Sequence, residues 1–130
     1  MASYGNMSSG RLAECDPRLQ ILFNFVVRHY DNSILCGHRN EEAQNQAFQR
    51  KRSKVQWPDS NHNSTPSRAV DAAPWPIDWN DRERFVHFAG AVKLAAEFLG
   101  IPIIWGGDWN DDGTGVDNNF DDLVHFQLVD

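Results

Sequence analysis

The sequence predicts an α+β domain: a small antiparallel sheet with helices packed against it. Three observations carry that expectation. Two segments repeat apolar residues at helical spacing, Leu19–Tyr30 and Phe85–Leu99. Between and after them lie short apolar runs too brief for helices, at Ile34–Cys36, Arg68–Ala73, Ile103–Trp105 and Leu123–Val129. The chain has 130 residues and 41% hydrophobic content, enough for one core and one domain spanning 1–130.

Taken in order, Met1 to Cys15 reads as a polar lead. Asp16-Pro17 is a cap followed by proline at the first helical position, opening a helix that presents Leu22, Phe23, Val26 and Val27 on one side. Asp31-Asn32-Ser33 ends it, and Ile34–Cys36 follows as a strand. Asn40 caps a second helix from Glu41 to about Arg50, with acids at its positive end. Lys51 to Arg68 is a long irregular stretch, basic at first and then rich in Pro, Ser and Asn; a loop this long in a compact domain is usually functional. Arg68–Ala73 is the next strand. A rigid Pro74–Trp79 segment then leads to a third helix, with Asn80 and Glu83 as its capping pair and Gly100 and Pro102 as its stop. Ile103–Trp105 is a buried strand, Gly106–Asn119 an acidic loop, and Leu123–Val129 a final strand with His125 and Gln127 on one face.

Charge excludes some functions. At −6 net and a pI near 5.2, the chain lacks the basic face that nucleic acid rewards. No apolar run approaches ~18 residues, so no membrane insertion is expected. Met1–Gly10 carries no secretory pattern, so synthesis in the cytoplasm is expected, with any extracytoplasmic substrate reached after release. Cys15 and Cys36 stand outside any C-x-x-C pair and read as free, buried, inert thiols.

The chemistry concentrates in Ser60-x-His62, Ala69-x-Asp71 and Asp122-x-x-His125. Two imidazoles and one carboxylate leave a fourth position open on a zinc ion, the pattern of a catalytic rather than a structural site. A further carboxylate at Asp122 suits a proton acceptor for water. Asp121 competes with it, since alternation along a strand sends neighbours to opposite faces. The competing reading is that these are unrelated polar residues, since five His and many Asp allow other combinations. A second cation pattern lies in the acidic loop. Asp108, Asn110, Asp112, Gly113 and Thr114 match the opening of an EF-hand calcium loop, but its closing Glu is replaced by Asn119. A solvated turn-rich loop is the alternative. The tryptophans at 75, 79, 105 and 109 read as mostly core.

These motifs, together with Gly37-His38-Arg39, Glu42, Gln44, Ser53-Lys54 and Trp105–Trp109, resemble the zinc peptidases that act on bacterial peptidoglycan stem peptides. That family holds D-alanyl-D-alanine carboxypeptidases, D-alanyl-D-alanine dipeptidases and phage L-alanyl-D-glutamate endopeptidases, and shares its fold with the Hedgehog signalling domain. The resemblance covers roughly residues 16 to 128. It implies zinc at His62, Asp71 and His125, Asp122 as the base, and a monomeric endolysin of the phage branch whose partner is the stem peptide. Arg39 is expected as a cationic donor or carboxylate anchor, or in the plainer reading as a surface pair with Glu41 or Glu42. Gln44 and Ser60 are expected to hydrogen-bond substrate. The sequence departs from the family form in one place: His62 and Asp71 are nine apart rather than seven, with Pro66-Ser67 where a glycine would stand.

Overall fold

The period-two pattern of the strands determines how the sheet faces divide. The computed structural model describes residues 2–111 and 122–130. Strands β1 (Asn32–Cys36), β2 (Ala69–Pro74), β3 (Ile103–Trp105) and β4 (His125–Leu128) form one antiparallel sheet in the order β1-β2-β4-β3. Ile34, Val70, Ala72, Phe126, Leu128, Ile103 and Trp105 point to the helices and join one hydrophobic cluster. The alternate residues Asp71, His125 and Gln127 therefore share the opposite face.

Helix α2 (Pro17–Val27) starts as expected, with the Asp16 side chain accepting from the Arg18 amide and Pro17 at the first helical position. It stops at Val27, three residues short of the expected Tyr30. Helix α4 (Arg82–Leu99) crosses beside it over the sheet, burying Phe85, Phe88, Ala89, Val92 and Ala96. Phe23 of α2 and Phe88 of α4 both meet Phe126 edge-on, at centroid distances of 5.6 and 6.1 Å. The cap of α4 is Asp81, whose side chain accepts from the Arg84 amide, and not Asn80. Gly100 ends α4 in the left-handed region at φ 72°, as a stop there requires.

The expected polar lead is structured. Asn6–Leu12 forms helix α1 against β1, with Leu12 buried, the Arg11 guanidinium on the Ile34 carbonyl and the Ser8 hydroxyl accepting from the Ile34 amide. Glu14 and Asp16 then exchange backbone bonds with Ser67. The two-residue excess between His62 and Asp71 is thus stitched to the chain's beginning, and the Ser67 side chain is fully buried on the Gly37 and Ala69 carbonyls. No helix among the described residues is long and apolar enough to cross a membrane.

Candidate metal centre

Strand register brings the first two candidate ligands together. Asp71 on β2 and His125 on β4 are direct cross-strand partners, the arrangement that sets side chains on one face closest. His62 arrives from elsewhere. It sits in a single 3₁₀ turn, Asn61–Asn63, whose start is capped by Ser60: the Ser60 hydroxyl accepts from the His62 amide, and Asn63 returns a bond to the Ser60 amide. Arg39 donates its amide to the His62 carbonyl and so ties the turn to the loop after β1.

His62 Nε2 lies 3.0 Å from Asp71 Oδ1, His125 Nδ1 lies 3.2 Å from the same oxygen, and the two nitrogens are 3.2 Å apart. All three side chains are buried. Tetrahedral zinc with ligands at ~2.0–2.1 Å has edges of about 3.3 Å, so this triangle fits one face of such a shell with little adjustment. The outer nitrogens fix the tautomers. His62 Nδ1–H donates to the Gly37 carbonyl at 2.7 Å, and His125 Nε2–H donates to Gln127 Oε1 at 2.7 Å. Each imidazole then turns a lone pair inward, where a carboxylate oxygen also points. Three lone pairs on one spot repel unless a cation or a proton lies among them, so the donor chemistry fits a metal. A proton serves in the metal-free state: burial works against the charged imidazole, but the Asp71 carboxylate outweighs it and pushes His62 up to about 10. Burial likewise opposes the charge on Asp71, yet the two imidazoles hold its carboxyl far below the ordinary range.

Asp71 divides its oxygens. Oδ1 faces the imidazoles and Oδ2 faces Arg39 Nη2 at 3.6 Å. Arg39 also donates through Nη1 to Gln44 Oε1 at 3.0 Å. It is therefore turned into the site, pairing with Asp71 and Gln44 rather than with Glu41 or Glu42.

Asp122 reaches the same spot by a turn. The His125 amide donates to the Asp122 carbonyl at 3.1 Å, reversing the chain over residues 122–125. A carboxylate oxygen of Asp122 thereby comes within 4.8 Å of the ligand atoms of Asp71 and His125. Burial first, and then the nearby charge of Asp71, raise its pKa above the usual carboxylate value. Gly106 cradles this turn: its carbonyl accepts from the Asp122 amide, and a Cβ there would stand 2.2 Å from the Asp122 carbonyl oxygen. Asp121 lies outside the described residues.

A cavity of about 210 Å³ opens over these groups, walled in part by Arg39, Ser60, Trp109, Asp122 and Gln127. Gln44 is a correction to the sequence reading. It is fully buried and does not line the cavity; its amide donates to Ser53 Oγ and the Val55 carbonyl, and its oxygen accepts from Arg39 and Asn63. With those bonds made inside the protein, it braces the wall and has nothing left for a ligand. Ser60 keeps a place on the wall while capping the turn of His62. The tryptophans also differ from expectation. Only Trp105 of the four is buried; Trp75 and Trp79 are exposed, and Trp109 lines the cavity with its ring 5.4 Å from that of His125. Gln127 was placed on the face of His125 by alternation, but its bond to that ring had no sequence signal. Cys36, read as inert, is the cross-strand partner of Asp71, and its sulfur sits 3.8 Å from His62 Nδ1. Cys15 fits the inert reading, its thiol pushed up to about 12 chiefly by burial. Of the calcium set, Asp108 is buried with a carboxylate oxygen 3.7 Å from Lys93 Nζ, Asn110 is exposed, and Asp112 and Thr114 lie outside the described residues.

An α+β sheet with two imidazoles and a carboxylate converging on one point, and a second carboxylate beside it, makes a candidate metal centre. The comparisons narrow the class. The family described as phage L-alanyl-D-glutamate peptidase matches residues 2–129, and the chain belongs to that family. An L-alanyl-D-glutamate peptidase of Escherichia phage T5 is 32% identical over 115 residues, covering 85% of this chain and 83% of the relative. Among solved structures, the L-Ala D-Glu endopeptidase ChiX of Serratia marcescens superposes with a TM-score of 0.76 at 25% identity, over 97% of this chain and 89% of the other.

Proposed function

We propose that the chain is a zinc-dependent peptidase that cuts the L-alanyl–D-glutamate bond of peptidoglycan stem peptides, acting as a phage endolysin. One observation carries the metal part: three inward lone pairs, the two imidazoles aimed by outer hydrogen bonds and the carboxylate by its ion pair with Arg39, with Asp122 beside them. Family membership carries the bond cut. The groups named all come from one chain, so a monomer suffices. The enzyme is made in the cytoplasm and meets the wall after release.

His62, Asp71 and His125 hold the zinc. Bound there, it supplies Lewis acidity, acidifying water and polarising a carbonyl. Asp122, with a carboxylate oxygen beside the ligand atoms of Asp71 and His125, accepts the proton of the attacking water and returns it to the leaving amine. Arg39 steadies Asp71 through Oδ2 and presents its remaining N–H groups to the cavity, where negative charge develops on the carbonyl oxygen. Ser60 shapes the wall, and Gln44 holds it in place.

The test is mass spectrometry of muropeptides incubated with zinc-loaded and chelator-treated protein. Chelator-sensitive appearance of a new D-Glu amino terminus is the expected result. Release of D-Ala or D-Ala-D-Ala would move the reading to a carboxypeptidase or dipeptidase. His62→Ala should lose zinc and activity together, whereas Asp122→Asn should keep zinc and lose activity. A fully active Asp122→Asn would remove the base from the mechanism, and absence of any cleavage with zinc bound would leave a metal-binding wall module as the better account.

A further inference from the structure

The cavity carries a group of cations on its lining, in a protein whose net charge is −6. Arg52 and Lys54 line the same space as Arg39, with Asp59 and Asp122 as the acids on the lining. Two features show that this wall is built rather than loosely draped. Helix α3 (Glu41–Gln49) ends in a reversal in which the Lys51 amide donates to the Phe48 carbonyl and the Arg52 amide to that of Ala47, the paired bonds of a Schellman motif. That motif favours glycine at its left-handed position, yet Lys51 occupies it at φ 61°. Two and four residues on, Gln44 clamps Ser53 and Val55 from behind. Arg52 and Lys54 flank the clamped Ser53, so the brace that fixes Arg39 also fixes the backbone from which these two exposed cations project.

We infer that Arg52 and Lys54, with Arg39, form a subsite for the free carboxylate of the residue on the leaving-group side of the cut. This rests on the reading of the substrate given above. Glutamate in a chain uses one carboxyl for the next bond and keeps the other, so an L-alanyl–D-glutamate bond is always followed by a carboxylate unless it is capped. Planar guanidinium and ammonium donors on a half-enclosed wall are suited to that group. The subsite reads charge next to the reacting bond, and it separates a free glutamate carboxylate from its carboxamide.

The test uses two synthetic peptides containing L-Ala–D-Glu, identical except that one carries the free carboxylate as a carboxamide. Zinc-loaded wild type should favour the carboxylate peptide by about tenfold in kcat/KM, the scale of one charge-assisted hydrogen bond. In Arg52→Gln/Lys54→Gln the ratio should fall to near one, and Arg52→Lys/Lys54→Arg should restore most of it. A ratio that survives in the double Gln variant, or a wild type without preference, overturns the subsite. If wild type cleaves neither peptide, the peptidase reading fails first. Binding of the two peptides, followed by tryptophan fluorescence, then decides the subsite alone: equal affinities reject it, and a carboxylate preference lost in the double Gln variant upholds it.

Discussion

Gly106→Ala tests how tightly the catalytic turn is held. The added Cβ would lie 2.2 Å from the Asp122 carbonyl oxygen and 3.0 Å from the carbonyl carbon and the Asp122 Cβ. Ordinary contact begins at about 3.4 Å, so the turn must retreat by roughly 1 Å. The Asp122 carbonyl also receives the His125 amide, and the Gly106 amide donates to the His125 carbonyl. The retreat therefore moves the proposed base, Asp122, and the proposed metal ligand, His125, together. A misplacement of about 1 Å at a reacting group costs on the order of a hundredfold in rate, and forced overpacking costs about 1–3 kcal/mol of stability. The assay pairs kcat/KM on a stem peptide with zinc titration and urea unfolding. The expected pattern is a loss of about a hundredfold in kcat/KM, with weakened zinc and modest destabilisation. Activity within threefold of wild type would refute the claim that this turn is held by close contact at Gly106.

Three further predictions follow from the surroundings of the site. Gln127→Leu removes the acceptor that fixes the His125 tautomer and should weaken zinc roughly tenfold to a hundredfold, measured by chelator competition; an unchanged affinity would mean the ring is held by packing alone. Lys51→Gly relieves a left-handed residue and should stabilise the fold by about 1 kcal/mol in urea unfolding; an unchanged or lowered stability would mean that the left-handed backbone costs nothing there. In metal-free protein the folded pKa of His62, about 10, stands above its unfolded value of 6.5. Its contribution to stability is therefore full below pH 6.5 and lost as pH rises towards 10. Chemical unfolding between pH 6 and 10 should show that decline with chelator and not with zinc; metal-free stability that rises over this range would contradict the His62–Asp71 pairing.

The parts of the fold legible in the sequence were those specified locally. Asp16-Pro17, Asn40 and Gly100 each mark a helix end by their own chemistry, and the structure uses each as such. Alternation along β4 placed His125 with Gln127, and the spacing of Asp122 and His125 required the turn that forms between them. The rest depends on distant partners. Helix α1 lacks a side-chain cap, contains Gly10 and buries only Leu12, so its order comes from β1 and not from its own residues. Gln44 has no local mark of its role, because its four bonds reach residues 39, 53, 55 and 63. At α4 the adjacent Asn80 and Asp81 are both good caps, and only the path of the chain selects the second.

The pairing of Asp71 with His125 also has a kinetic side. These ligands are 54 positions apart, and the strands that carry them meet only when the last segment docks between β2 and β3. Closing so long a loop is a slow, non-local step in folding. Until it is taken, His62 and Asp71 lack the third member of the proposed ligand set, and Asp122 has no site beside it. The centre therefore belongs to the finished chain, and a nascent or C-terminally clipped form would have neither. A slip of β4 by one residue would turn Phe126 into the site and His125 into the core, so under the proposed function metal uptake would also report correct strand register.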